Sequence, residues 1–351
     1  MSYWPGFRDI FVTAYTLGAG ALGALIGYWI GLPVYLLTGP ALLISLATLT
    51  GLHLAIAPVV RDFAFILIGI SIGAGVDPQA ADAFIRWPIA FLMLAFMLIL
   101  TLILCRDLLV RVFGFDPRSA VLAASPGHLS YIISLSESMK VDISRVAVVQ
   151  SVRLLALTLC VPFAALAFGI RIDTAFASSA PLMRVDHAIV LFCLSLVFGL
   201  ILKRANAPAA LLIAAMIVSA AAHLSERAPG VLSPQITHAM FVVMGTLIGT
   251  RFSGIHLAAL RKTLVAGLST TLLTVLLAMA AAVPVAYALG LPVAHVLIAF
   301  APGGLETMVV MGVVLGANPG FVAACHVARL LFLTVLVPAV LARAPKDRSL
   351  P

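Results

Sequence analysis

Apolar residues along this chain come in long blocks separated by short polar or Gly/Pro-containing junctions. The blocks run roughly over 11–31, 33–51, 58–76, 87–112, 117–140 and 143–169, then over 187–203, 207–223, 234–252, 262–289, 293–316 and 319–342. Inside them the apolar residues are continuous, as from Ile89 to Cys105 and from Leu264 to Val283. Roughly 20 such residues, wound as a helix, match the hydrocarbon depth of a bilayer. The alternation that marks a membrane β-barrel is missing. Lipid offers no partner to backbone N–H and C=O groups, so continuous runs of this kind must be helices. The pattern predicts an all-α, polytopic transmembrane helical bundle.

Composition agrees with the pattern. Hydrophobic residues make up 63% of the 351, charged residues 10%, and the mean hydropathy is +1.19. Soluble globular chains carry about 25% charged residues, which this one lacks for a surface of its size. The net charge of +8 points to cytoplasmic loops rich in Lys and Arg rather than to a nucleic-acid footprint. Cys105, Cys160, Cys193 and Cys325 stand singly in or beside apolar blocks, with no CxxC spacing. They read as packing residues. Met1 to Asp9 shows no short apolar core followed by small residues, so no cleaved signal is expected.

The twelve blocks are six, twice. Displacing the chain by 176 residues lays Gly69 and Gly73 on Gly245 and Gly249, Gly114 on Gly290, and Pro126-Gly127 on Pro302-Gly303. Leu129 falls on Leu305, Arg153 on Arg329 and Pro162 on Pro338; with a slip of one, Pro33 meets Pro208. Self-similarity at one offset is the signature of duplication. Residues 1–170 therefore read as a first membrane repeat, 171–186 as a polar linker, 187–343 as a second repeat and 344–351 as a tail.

Charge distinguishes parallel from inverted repeats. The first half's loop with Arg106, Arg111 and Arg118 corresponds to the uncharged Tyr287 to Pro292, and the uncharged Gly31-Leu32 junction corresponds to Lys203-Arg204. Five crossings per half, with the block at each Pro-Gly dipping in and returning, put fifteen of the 21 basic residues on one side. Arg86, Arg171, Arg184 and Arg227 fall on the other, and Arg153 and Arg329 stay inside. This asymmetry predicts about ten crossings plus broken or re-entrant helices, an inverted repeat, and both termini in the cytoplasm of a bacterial inner membrane.

Chemistry concentrates at the two breaks. Ser125-Pro126-Gly127-His128-Leu129-Ser130 and Ala301-Pro302-Gly303-Gly304-Leu305-Glu306 interrupt apolar blocks at equivalent places. Proline ends one helix and suits the first turn of another, with Ser125 placed to cap it. A helix start at membrane depth presents free N–H groups and the positive dipole end to a cavity, which favours an anion. Two such breaks, one per half, point to a transporter's binding site. Arg153 and Arg329 lie inside the last block of each half, where a charge needs a partner; backbone carbonyls at the breaks and Glu306 are the candidates. Gln150 and His326 precede them by three positions on the same helical face, and Thr307 follows Glu306. Expected substrate-binding residues are therefore Ser125, Pro126, Gly127, His128, Ser130, Gln150, Arg153, Pro302, Gly303, Gly304, Glu306, Thr307, His326 and Arg329.

No HExxH, P-loop, nucleophile elbow or GxGxxG pattern is present, so no catalytic residue, metal or cofactor is expected. The GxxxG spacings at Gly23, Gly27 and Gly31, at Gly69/Gly73 and at Gly245/Gly249 read as close helix packing.

The run Ser125-Pro126-Gly127 with Leu129, Asp142 and Gln150 to Pro162 resembles the AbrB-type duplicated bacterial membrane proteins. So do Ala301 to Met308 with Arg329 and Pro338, and Thr38-Gly39-Pro40 after Leu32-Pro33. The family pattern is a PGGL break followed by Ser/Thr and Glu-Met. Here His128 replaces the second glycine of the first copy and Tyr131 stands where an acid is expected, while the second copy carries Glu306 one position early. The resemblance implies labels that range from transporter to ammonia monooxygenase to regulator of gene expression. The monooxygenase label has no metal-ligand pattern to support it, so an enzyme is not expected. The reading is a secondary transporter of a small anionic or carboxylate solute, coupled to H+ or Na+. The alternative is a membrane-embedded regulator of gene expression that acts indirectly, without flux. Expected partners are the lipid bilayer, the solute and its coupling ion, with a homodimer compatible and no nucleic acid.

Overall fold

The computed structural model describes residues 7–75, 87–126, 132, 135–136, 139, 141–167, 181–255 and 257–343. Thirteen α-helices account for most of these residues: α1 (Phe7–Trp29), α2 (Tyr35–Leu49), α3 (Pro58–Gly73), α4 (Trp87–Arg111), α5 (Pro117–Ala124), α6 (Ile143–Ala167), α7 (Val185–Arg204), α8 (Ala210–Leu224), α9 (Pro234–Gly249), α10 (Leu257–Leu289), α11 (Val293–Phe300), α12 (Leu305–Val314) and α13 (Pro319–Arg343). No strand occurs among the described residues, only a bridge between Leu182 and Val231. The chain is a polytopic helical membrane bundle. Phe11, Trp29, Leu92, Ile189, Val197, Leu272 and Val335 face outward, apolar surface that only lipid accommodates.

Proline and glycine set the boundaries. Pro58, Pro117, Pro234 and Pro319 each open a helix, where the missing N–H costs nothing. Gly114 and Gly290, at φ 63 and 68, turn the chain after α4 and α10 in the left-handed region that glycine enters without strain. Six helices, α1, α4, α6, α7, α10 and α13, are long and apolar enough to cross a membrane. Four of the ten expected crossings are shorter. α2 and α8 have 15 residues and α3 and α9 have 16, reaching about 24 Å at most. They pack against one another inside the bundle, so they are not held to the full lipid depth.

Packing repeats when the halves are exchanged. α2 lies on α9 and α3 on α8; α1 lies on α2 and α7 on α8; α4 lies on α13 and α10 on α6. α5 contacts α4 and α6 as α11 contacts α10 and α13. α3 meets α9 and α4 meets α10 directly. The same helix pairings thus recur at equivalent places along the chain. Glycine makes the central ones possible. A Cβ on Gly69 would stand 2.5 Å from the Leu212 carbonyl oxygen, one on Gly73 2.5 Å from that of Met216, and one on Gly249 2.5 Å from Ile44 Cβ. One on Gly245 would run into the Leu37 carbonyl. The Ser219 hydroxyl, at the same seam, donates to the Ile70 carbonyl at 2.8 Å.

Candidate functional site

The second break is a helix end followed by a helix start, as its sequence predicts, but α12 opens at Leu305, so Pro302 precedes it instead of standing in its first turn. α11 closes with the Ala301 amide donating to the Leu297 carbonyl at 2.7 Å, and α12 opens with the Met308 amide donating to that of Gly304 at 2.9 Å. Between them Ala301 and Gly304 are extended, at ψ 135 and 139. The carbonyls left without a helical partner meet an arginine. From α13, Arg329 donates through Nη1 to Ala301 O at 2.8 Å and through Nη2 to Gly303 O at 2.7 Å. Arg329 is 2% exposed. It therefore sets a full positive charge against the negative dipole end of α11. Of the partners expected for it, the carbonyls are the ones bonded; Glu306 makes no hydrogen bond or ion pair within the described residues.

The first break is closed from the same distance along the chain. Arg153 Nη2 donates to Ser125 O at 3.3 Å, 28 residues back, as Arg329 does to Ala301. Gln150 shares the task, its Nε2 donating to Leu122 O at 2.9 Å and Ser125 O at 2.8 Å, while its Oε1 accepts from Arg153. His326, the equivalent of Gln150, instead directs Nδ1 to Val322 O at 2.9 Å within its own helix. Its Nε2, the Ser125 hydroxyl and Nε of both arginines are buried with no partner among the described residues. Gly127, His128 and Ser130 lie outside the described residues.

A chamber of about 40 Å³ sits against the second break, lined by Gly303, Gly304, Glu306 and Arg329 together with Leu154, Ala209 and Arg251. It adjoins a vestibule of about 500 Å³, with which it shares Ala209, Arg251 and Glu306. Glu306, half-buried, stands at the neck. Arg61, Asp62 and Lys203 line the vestibule wall. There Asp62, 5% exposed, holds Arg61 at 2.7 Å and Lys203 at 3.5 Å, tying α3 to α7 across the halves. Pro302 and Thr307 are buried behind the break, and Ser125, Pro126, Gln150, Arg153 and His326 do not line the chamber. Sequence reading missed Asp62 and Arg251. Both lie at the ends of apolar blocks, where a charge carries no signal of its own. The described residues hold no group of three His, Cys, Asp or Glu side chains placed to share a metal ion.

Comparison with known proteins follows the same outline. A family model described as transition state regulatory protein AbrB matches residues 36–344. The chain is 23% identical over 263 residues to the uncharacterized protein YhjN of Bacillus subtilis (strain 168), an alignment covering 69% of this chain and 68% of that protein.

Proposed function

Because the chain belongs to the AbrB family, with the match running through both halves, we propose that it is a secondary carrier of a small anionic or carboxylate solute. Its membrane is the bacterial inner membrane, its termini are cytoplasmic, and protons or sodium drive it. The observation that carries this reading is the vestibule of about 500 Å³ that ends on the α11–α12 break. At its neck stand Arg251, the start of α12 and Glu306. The arginine and the helix start attract an anion. The half-buried carboxylate, without an ion-pair partner among the described residues, is where a proton or sodium ion would offset charge.

The inverted repeat is part of the proposal. Arg61 and Phe65, early in α3, share a cavity with Leu247 late in α9, whereas Leu67 to Ile72 share another with Leu232 to Phe241. Equivalent helices thus pass each other antiparallel, which supports a two-fold axis in the membrane plane.

Purified protein heated with a panel of small carboxylates and inorganic anions, with and without sodium, tests the carrier. A ligand at 100 times its Kd stabilises the folded state by about 2.7 kcal/mol. Gly303→Leu, whose side chain would displace the fully buried Met308, should abolish that gain while the protein still inserts. No stabilising solute and no flux in proteoliposomes would overturn the reading. The family model's description favours the second reading, a membrane-embedded regulator without flux. A regulator would keep its effect on gene expression in a Gly303→Leu variant that neither binds nor moves solute.

A further inference from the structure

The vestibule has a counterpart. A second cavity, of about 10 Å³, lies between α3, α9 and α12, bounded by Ser71, Leu232, Ile236, Thr237, Phe241, Val310 and Val313 among the described residues. Four of its lining residues are equivalents of vestibule residues at the offset of 176: Leu232 of Ile56, Thr237 of Arg61, Phe241 of Phe65, and Ser71 of Leu247 in the opposite sense. The first cavity has room for many waters; the second is at the lower limit for one. α12 spans the two, with Glu306 on the open one and Val310 and Val313, one and two turns further on, at the closed one. Elements related by a two-fold axis that part on one side are built to part on the other.

We propose that this apolar seam is a second, closed access route to the same site, opening on the opposite face as the vestibule closes. The proposal rests on the carrier reading. α3, α9 and α12 wall both cavities, so a tilt that separates them at Phe241 draws them together at Phe65. The exchange is two-state because packed helices shift between discrete arrangements rather than deform smoothly.

Single cysteines test it, in a chain whose exposed Cys160 and Cys193 are replaced by serine. An impermeant maleimide is applied to right-side-out and inside-out vesicles. Leu247→Cys should react from one face, and Thr237→Cys from the other, at least about tenfold more slowly. Adding Ser71→Phe, for which the seam has no room, should speed Thr237→Cys and slow Leu247→Cys, each by about tenfold. Val313→Phe supplies the same wedge from α12 should Ser71→Phe fail to fold, a failure seen as labelling of both positions from both faces. Labelling of both positions from one face, faster reaction at 237 with no slowing at 247, or no response to either wedge would overturn the proposal. Reciprocal labelling with no flux of any solute would keep the two routes and remove the carrier. Flux without reciprocity would do the reverse.

Discussion

Arg153 and Arg329 each close a broken helix by donating to carbonyls that the break leaves bare. A charge at the bilayer centre costs about 2.5–3.5 kcal/mol on insertion scales, so the carbonyls matter as much to the arginine as it does to them. Arg329→Ala should lower stability by about 1–3 kcal/mol, the penalty for buried acceptors left unpaired. Lysine keeps the charge but not the fork that spans Ala301 and Gly303, so Arg329→Lys should melt between the two. Ligand-induced stabilisation should survive in Arg329→Ala. If it vanishes while the resting melting temperature is unchanged, the guanidinium touches solute instead of holding the break. A second pair of positions is strained. Val34 and Ala209, just after Pro33 and Pro208, start α2 and α8 at φ 51 and 46 without glycine. Left-handed backbone costs a non-glycine residue about 1–2 kcal/mol, and part of that is offset by the extra chain entropy glycine loses. Ala209→Gly should therefore raise thermal stability by about 0.5–1 kcal/mol. The arginines were legible in the sequence because a charge inside an apolar block stands out. The strained caps were not, since valine and alanine give no sign of unusual φ.

At the scale of elements, the stripes on α3 and α9 are one interface made twice. Gly69→Leu and Gly245→Leu should each cost about 1–3 kcal/mol from overpacking, and by similar amounts, because the neighbours met are the α8 and α2 backbones at equivalent places. Gly18→Leu is the control: nothing lies within 4 Å of a Cβ there, and melting should not change. Unequal losses at 69 and 245 would mean that the two seams are not energetic equivalents. The close packing at Gly69/Gly73 and Gly245/Gly249 was readable from their spacing, whereas Gly31, expected to pack likewise, stands past α1 at φ 71 with nothing within 4 Å of a Cβ. The position of the second break was readable too, since Pro302 cannot continue α11. Lengths were less so. Hydropathy ran α2, α3, α8 and α9 on by two or three residues at several ends, because apolar side chains continue past the last helical bond where the turns are themselves buried, as at Val34 and Phe252. The sequence also could not say that Gln150 rather than a second guanidinium nitrogen would complete the first break, since that depends on where α6 sits against α5.

Which helix of one half lies on which helix of the other is a property of the whole molecule, and it left no trace in local pattern. Asp62 and Lys203 pair across 141 residues, a contact that no window of hydropathy contains. What the sequence did carry over that distance is charge, through the positive-inside rule. It yields a test that needs no ligand. Arg111 and Tyr287 are equivalent at the offset of 176, lie at the ends of α4 and α10, and are both exposed, Arg111 by 80% of its side chain and Tyr287 by 81%. If the halves are related by an axis in the membrane plane, Arg111→Cys and Tyr287→Cys must label from opposite faces, Arg111→Cys from the cytoplasm. A relation about the membrane normal puts both on one face. Cys105, late in α4, meets Thr270 and Thr274 near the middle of α10, a contact that either axis allows. Impermeant labelling of the two single-cysteine proteins in inside-out vesicles should modify position 111 and spare position 287. Modification of both would end the inverted reading, and with it the pairing of vestibule and seam as opposite doors to one site.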